Sequence, residues 1–119
     1  MIAMTTGVHI YAHPQDRENL IEFYTTILGW DVEPLPGSKL VFRFPDHIFL
    51  SVEFTEDALA QEQLHRGAWL QIATNDPETL KQKVLAAGMP QVIHISSDRF
   101  YFQAPGGQVW GIVGTGYGQ

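Results

Sequence analysis

One plan runs through this chain twice. A strand-like stretch, Val8–Ala12, leads into a helical run that ends Leu28-Gly29-Trp30, and two further β-like segments close near Glu53. The order returns with Trp69–Thr74, a helical run ending Ala87-Gly88-Met89, and two β-like segments closing near Val113. A repeat of this kind constrains the fold strongly, because each copy must build the same small sheet and cover it with its helix. It also predicts a site between the copies, with one contribution from each. Here the contributions differ: His9 and Glu53 stand where the second copy has Trp69 and Gly111. That mismatch argues against an ordinary metalloenzyme.

The apolar periodicity assigns faces. In the first strand Val8, Ile10 and Ala12 point one way, His9 and Tyr11 the other. Pro14 suits the first turn of a helix, Leu20, Phe23, Tyr24, Ile27 and Leu28 form its apolar face, and Gly29 stops it. Pro34, Pro36 and Gly37 read as a turn, Lys39–Phe44 as a strand, Pro45-Asp46 as a tight connection and His47–Phe54 as the next strand. In that strand Ile48, Leu50, Val52 and Phe54 share one face, and His47, Phe49, Ser51 and Glu53 the other.

Residues 55–66 are polar and read as a linker with room for a helical turn. In the second copy Leu70 and Ile72 take the core phase, and Trp69, Gln71 and Ala73 the opposite one. Asp76 caps the following helix with Pro77 at its first position, Leu80, Val84 and Ala87 form its apolar face, and Gly88 ends it. Val92–Ile95 and Arg99–Gln103 read as strands around a Ser96-Ser97-Asp98 turn, Gln108–Val113 as the last strand, and Gly114–Gln119 as a mobile tail. The phases of Arg43 and Tyr101 stay open. Antiparallel sheets with helices on one face are expected, leaving the face of His9, Glu53, Trp69 and Gly111 open; Trp110 points to the helix side with Ile112.

With 119 residues, 45% hydrophobic and 17% charged, the chain suits one compact domain: module one at about 7–54, a linker at about 55–67 and module two at about 68–113. Its apolar runs are too short to cross a bilayer, and Met1–Thr6 lacks the pattern of a signal peptide, so no membrane partner and a cytoplasmic location are expected. The absence of cysteine excludes disulfides, thiol catalysis and thiolate metal sites. A net charge of −6, with only seven scattered basic residues, disfavours a nucleic-acid partner, so none is expected, and it is compatible with a cationic ligand.

Phe23-Tyr24-Thr25-Thr26-Ile27-Leu28-Gly29-Trp30 resembles the first-helix signature of the vicinal oxygen chelate superfamily, F-Y-x-x-x-L-G-[FW]. The run from Phe100 to Trp110 is similar to its closing signature, F-x-F-x-D-P-x-G-N-x-W. The superfamily holds glyoxalase I, extradiol dioxygenases, fosfomycin-resistance enzymes and bleomycin-resistance binding proteins. The resemblance implies an α+β fold of two βαβββ modules in a cup-shaped half-barrel. It also implies a homodimer, in which modules are sometimes exchanged, and four metal-ligand positions on the first and last strands of the modules. Carried onto this chain, those positions are His9, Glu53, Trp69 and Gly111; Ala104 and Gly106 also depart from the usual acidic turn.

Two of the four positions cannot ligate a metal. The indole nitrogen of Trp69 only donates, and Gly111 has no side chain. A catalytic zinc keeps three protein ligands and a water. Along a strand His13 lies roughly 13 Å from His9, and His47 roughly 20 Å from Glu53, too far to share an ion; no spacing requires His94 to complete the set. His9 is therefore expected to hydrogen-bond Glu53 across the sheet. Tyr11, Phe49, Gln71 and Tyr101 join His9, Glu53, Trp69 and Gly111 as expected pocket lining. The first functional expectation is a metal-independent protein that binds a small aromatic or cationic molecule, with Trp69 as its flat contact. The alternative is a divalent-metal lyase, isomerase or dioxygenase using His9 and Glu53 with a third ligand. A further alternative is a structural dimer whose cup is filled by side chains.

Overall fold

A computed structural model describes residues 1–44, 48–94 and 99–116. Pro45-Asp46, His47, Ile95, the Ser96-Ser97-Asp98 turn and the end of the tail lie outside the described residues. The contacts divide the chain into two compact units, Met1–Leu59 and Ala60–Gln119. Among the described residues no helix is long and apolar enough to cross a membrane.

The first unit runs β1 (Gly7–Ala12), a 3-10 turn (Pro14–Asp16), α1 (Arg17–Glu22) continuing as a π-helical segment (Phe23–Ile27), β2 (Asp31–Leu35), β3 (Lys39–Arg43) and β4 (Phe49–Phe54). Its four strands lie in the order β1-β4-β3-β2. β2, β3 and β4 form an antiparallel meander, and β4 returns alongside β1 in parallel. The expectation of a purely antiparallel sheet is corrected here. The chain goes up in β1, down the helix and up again in β2, so two more reversals leave β4 running with β1.

The residue pattern alone did not place β2, since Pro34 read as part of a turn, although a βαβββ module requires a strand there. The proline sits inside β2 opposite Leu40, on the strand at the edge of its sheet. There its missing N–H costs no ladder bond. The turn itself is tightened by Gly37, at φ 81°.

Leu40, Phe42, Leu50, Val52 and Phe54 are buried on one face of this sheet, together with Leu20, Phe23 and Tyr24 of the helix. The π-helical segment widens the turn, so the adjacent residues Phe23 and Tyr24 are both buried. The Thr25 hydroxyl donates to the Ile21 carbonyl at 2.6 Å. Tyr24 stacks on Trp30 at 5.3 Å and packs on Phe42 at 4.9 Å. Gly29 ends the helix at φ 75°, as its position predicts.

The second unit opens with a 3-10 helix (Gln61–Arg66), followed by β5 (Leu70–Thr74), α2 (Pro77–Ala86), β6 (Gln91–Val92), β7 (Tyr101–Gln103) and β8 (Val109–Gly114). The strand order β5-β8-β7-β6 repeats the first sheet, with β5 and β8 parallel. Asp76 caps α2, accepting from the Thr79 N–H at 3.1 Å and the Thr79 hydroxyl at 2.6 Å. Leu80 and Val84 are buried on its inner side, but Ala87 is the exposed C-cap and does not extend the apolar face. Among the described residues β6 and β7 are shorter than their apolar runs suggest, and they pair at Val92–Tyr101 and Gln91–Phe102. The start of the tail is tied down: the Thr115 N–H donates to the Thr74 carbonyl at 3.1 Å.

Candidate functional site

In the first unit the strand register decides which side chains meet on the face opposite the helix. Partners in neighbouring strands point the same way. β1 and β4 align His9 with Ser51 and Tyr11 with Glu53. β4 and β3 align Glu53 with Lys39, Ser51 with Val41 and Phe49 with Arg43. His9, Tyr11, Phe49, Glu53, Lys39 and Arg43 thus share the open face.

His9 does not pair with Glu53 as expected. Its Nδ1 hydrogen-bonds the Ser51 hydroxyl, the residue directly opposite it in the register. Glu53 lies one pair further along, beside Tyr11, and faces the Lys39 ammonium at 3.9 Å. The Phe49 ring covers Gly7, where a Cβ would collide with it, and meets the His9 ring edge-on at 5.8 Å. Tyr11 projects with 59% of its surface exposed. At the far side Arg43 Nε donates to Glu33 at 3.2 Å. Arg43, whose phase was open from sequence, therefore lies on this face.

The open face of the second sheet is dominated by rings. Tyr101 is opposite Gly111, and its ring occupies the space of the missing side chain: a Cβ on Gly111 would lie 2.7 Å from Tyr101 Cε1. Trp69 packs on Tyr101 at 4.9 Å, and His94 contacts both, at 5.6 Å from Trp69 and 5.7 Å from Tyr101. Tyr101 is buried with Val92 and Val109, and Trp69 covers them. The Trp69 indole N–H donates to the His65 carbonyl at 2.9 Å. Gln71, aligned with Gly111, is exposed. Trp110 aligns with Leu70 and Phe102 and is buried, in the phase its alternation predicts.

Sequence reasoning missed three polar side chains. Ser51 has the phase of the open face, but only the parallel register makes it the partner of His9. Lys39 shows as a contact of Glu53 only once β3 is placed. Gln103 is 3% exposed and fully engaged: its Oε1 accepts from Gln61 Nε2 and pairs with His65 Nε2, both at 3.0 Å, and its Nε2 donates to the Gln61 and Gly107 carbonyls, both at 2.8 Å. It ties the 3-10 helix to β7 and so supports the carbonyl that holds Trp69. A glutamine closing a strand-like run just before Ala104-Pro105-Gly106-Gly107 was the available signal.

The four ligand positions implied by the resemblance are equivalent in the register. Glu53 pairs with the residue two after His9, and Gly111 with the residue two after Trp69. The donor set at these positions does not fit a divalent ion. Two groups in the first unit can ligate, while the second offers an N–H donor and a backbone position covered by a ring. Among the described residues no three His, Asp or Glu side chains are placed to hold one ion.

No family model and no curated protein matches the chain. Solved structures do. A possible glyoxalase from Bacillus cereus is 17% identical with a TM-score of 0.71, over 93% of this chain and 99% of that one. The fosfomycin resistance protein FosX from Listeria monocytogenes, complexed with Mn(II) and sulfate, is 7% identical with a TM-score of 0.72, over 96% of this chain and 91% of that one. A bleomycin-binding protein from Streptomyces verticillus, complexed with copper(II)-bleomycin, is 19% identical with a TM-score of 0.60, over 96% of this chain and 98% of that one. The chain has the glyoxalase/bleomycin-resistance-like α+β fold. At such identities the likeness is one of fold, and it agrees with two βαβββ modules.

Proposed function

We propose that this protein binds a small aromatic or cationic molecule on the open faces of its sheets, without a metal ion. One observation carries the reading. Where this fold has ligand positions in its second module, the chain presents the rings of Trp69 and His94, packed over the buried ring of Tyr101. An aromatic surface recognises by area and stacking, and needs no ion to do so. The first module carries, on the open face of its own sheet, the exposed ring of Tyr11 and the carboxylate of Glu53, with His9 and Phe49 beside them. Binding of bleomycin by the Streptomyces verticillus neighbour is a precedent for this use of the fold.

A homodimer is the working form we assign. β1 and β2 are the edges of the first sheet and β5 and β6 of the second. Edges of this kind are commonly covered by a second copy. Light scattering at micromolar concentration is expected to give twice the mass of the chain.

The function is tested by tryptophan fluorescence titration with a panel of aromatic cations and neutral aromatics in the presence of chelator. Saturable quenching is expected, weakened by Trp69→Ala and by Tyr11→Ala. A flat response from every compound in the panel, with both variants silent, would favour the reading in which side chains fill the cup. Activity that appears only with a divalent ion, and is lost in His9→Ala, would favour the metal-dependent enzyme.

A further inference from the structure

Glu53 has a neighbour on each side of the open face of the first sheet: Tyr11 on β1 and Lys39 on β3. The two neighbours differ in kind. Tyr11 is a ring held 59% exposed on a strand, beside a carboxylate. An aromatic face next to a negative charge is the chemistry that receives an organic cation. Lys39 is a cation already present, and its hold is slack. Its ammonium stands 3.9 Å from Glu53, with the two side chains 47% and 43% exposed. That exceeds hydrogen-bond length, and exposed pairs of this sort contribute little. The other basic group on the face is held more closely, since Arg43 Nε donates to Glu33 at 3.2 Å.

Charge is also unevenly divided. Residues 1–59 carry nine acidic and three basic side chains, whereas residues 60–119 carry four of each. The whole net charge of −6 therefore belongs to the unit that holds Glu53. Such a field raises the local concentration of cations.

We propose that Tyr11 and Glu53 form a subsite for an organic ammonium or guanidinium group, and that Lys39 is a tethered competitor which occupies Glu53 until the ligand displaces it. The proposal rests on the small-molecule reading of this face. Lys39 thereby sets specificity. A strongly hydrated inorganic cation gains nothing from the Tyr11 ring and does not displace Lys39, whereas a methylated or planar cation gains the ring as well as the carboxylate.

The test is an amide NMR titration of the full chain with benzyltrimethylammonium and with neopentylbenzene, its neutral isostere. Lys39→Met is expected to tighten the cation roughly two- to fivefold, with shifts centred on Tyr11 and Glu53. Lys83→Met makes the same charge change on α2 of the other unit and is expected to leave the affinity unchanged. Glu53→Gln is expected to weaken the cation and to abolish the gain from Lys39→Met in the double variant. Equal gains from Lys39→Met and Lys83→Met, or a gain that survives Glu53→Gln, overturn the competitor role. Equal affinity of the wild type for cation and isostere overturns the subsite and leaves the small-molecule reading standing. Absence of binding by either probe to any variant overturns both.

Discussion

Tyr101 rests over Gly111, so substitutions at the two positions are coupled. With Trp69 packed on its other side and 7% of Tyr101 exposed, the ring has little room to retreat from a Cβ placed 2.7 Å away. Gly111→Ala is expected to destabilise the protein by about 1–3 kcal/mol in urea unfolding, the cost of overpacking. In a Tyr101→Ala background the same change is expected to cost much less, a non-additivity that marks direct contact. His9 gives a second test at this scale. Ser51→Ala removes the partner of its Nδ1, so the imidazole 15N pattern of His9 is expected to change while that of His94 stays as it was. An unchanged His9 spectrum would mean that Ser51 does not orient the ring. Neither contact was legible in the sequence. Alternation gave the faces of His9, Ser51 and Glu53 correctly, but which side chains touch depends on register, and register follows from the sense of the strands.

Elements were easier to read where local chemistry decides them. Gly29 and Gly88 end their helices at φ 75° and 84°, and Asp76 caps α2, each in the position its residue type suggests. The Asp76 carboxyl is held below its ordinary range, chiefly by the Thr79 hydroxyl and then by the Thr79 N–H. A lowered folded-state value stabilises the fold above the ordinary carboxylate range, and that support is lost as pH falls through the lowered value. Asp76→Ala is therefore expected to lower the melting temperature at neutral pH, with the gap to wild type closing in strong acid.

Gln103 holds a different element, the 3-10 helix Gln61–Arg66. Gln103→Leu strands the Gly107 and Gln61 carbonyls and the donors of Gln61 and His65. It is expected to cost at least about 2 kcal/mol and to speed amide exchange across that helix. β2 escaped the residue pattern because its proline matters only in a central strand, and position in the sheet is not a local property.

At the scale of the molecule the repeat was the most legible feature, because it is carried by order and spacing rather than by any one contact. Both sheets have the same strand order, each pairing its first and last strands in parallel. What distinguishes the halves is chemical: the net negative charge and the ligating side chains of the ligand positions lie in the first, and the rings at those positions in the second. Affinity for an aromatic cation is therefore expected to fall steadily between low and high salt, while affinity for its neutral isostere changes little, because salt screens the exposed Glu53 and the field around it.

The most direct test is calorimetric titration of an aromatic cation into protein purified without a histidine tag, before and after exhaustive chelation, with elemental analysis of the same samples. Shape, stacking and charge need no ion, so the same dissociation constant is expected in both samples. A stoichiometric divalent ion in the first sample, and loss of binding once it is removed, would contradict that.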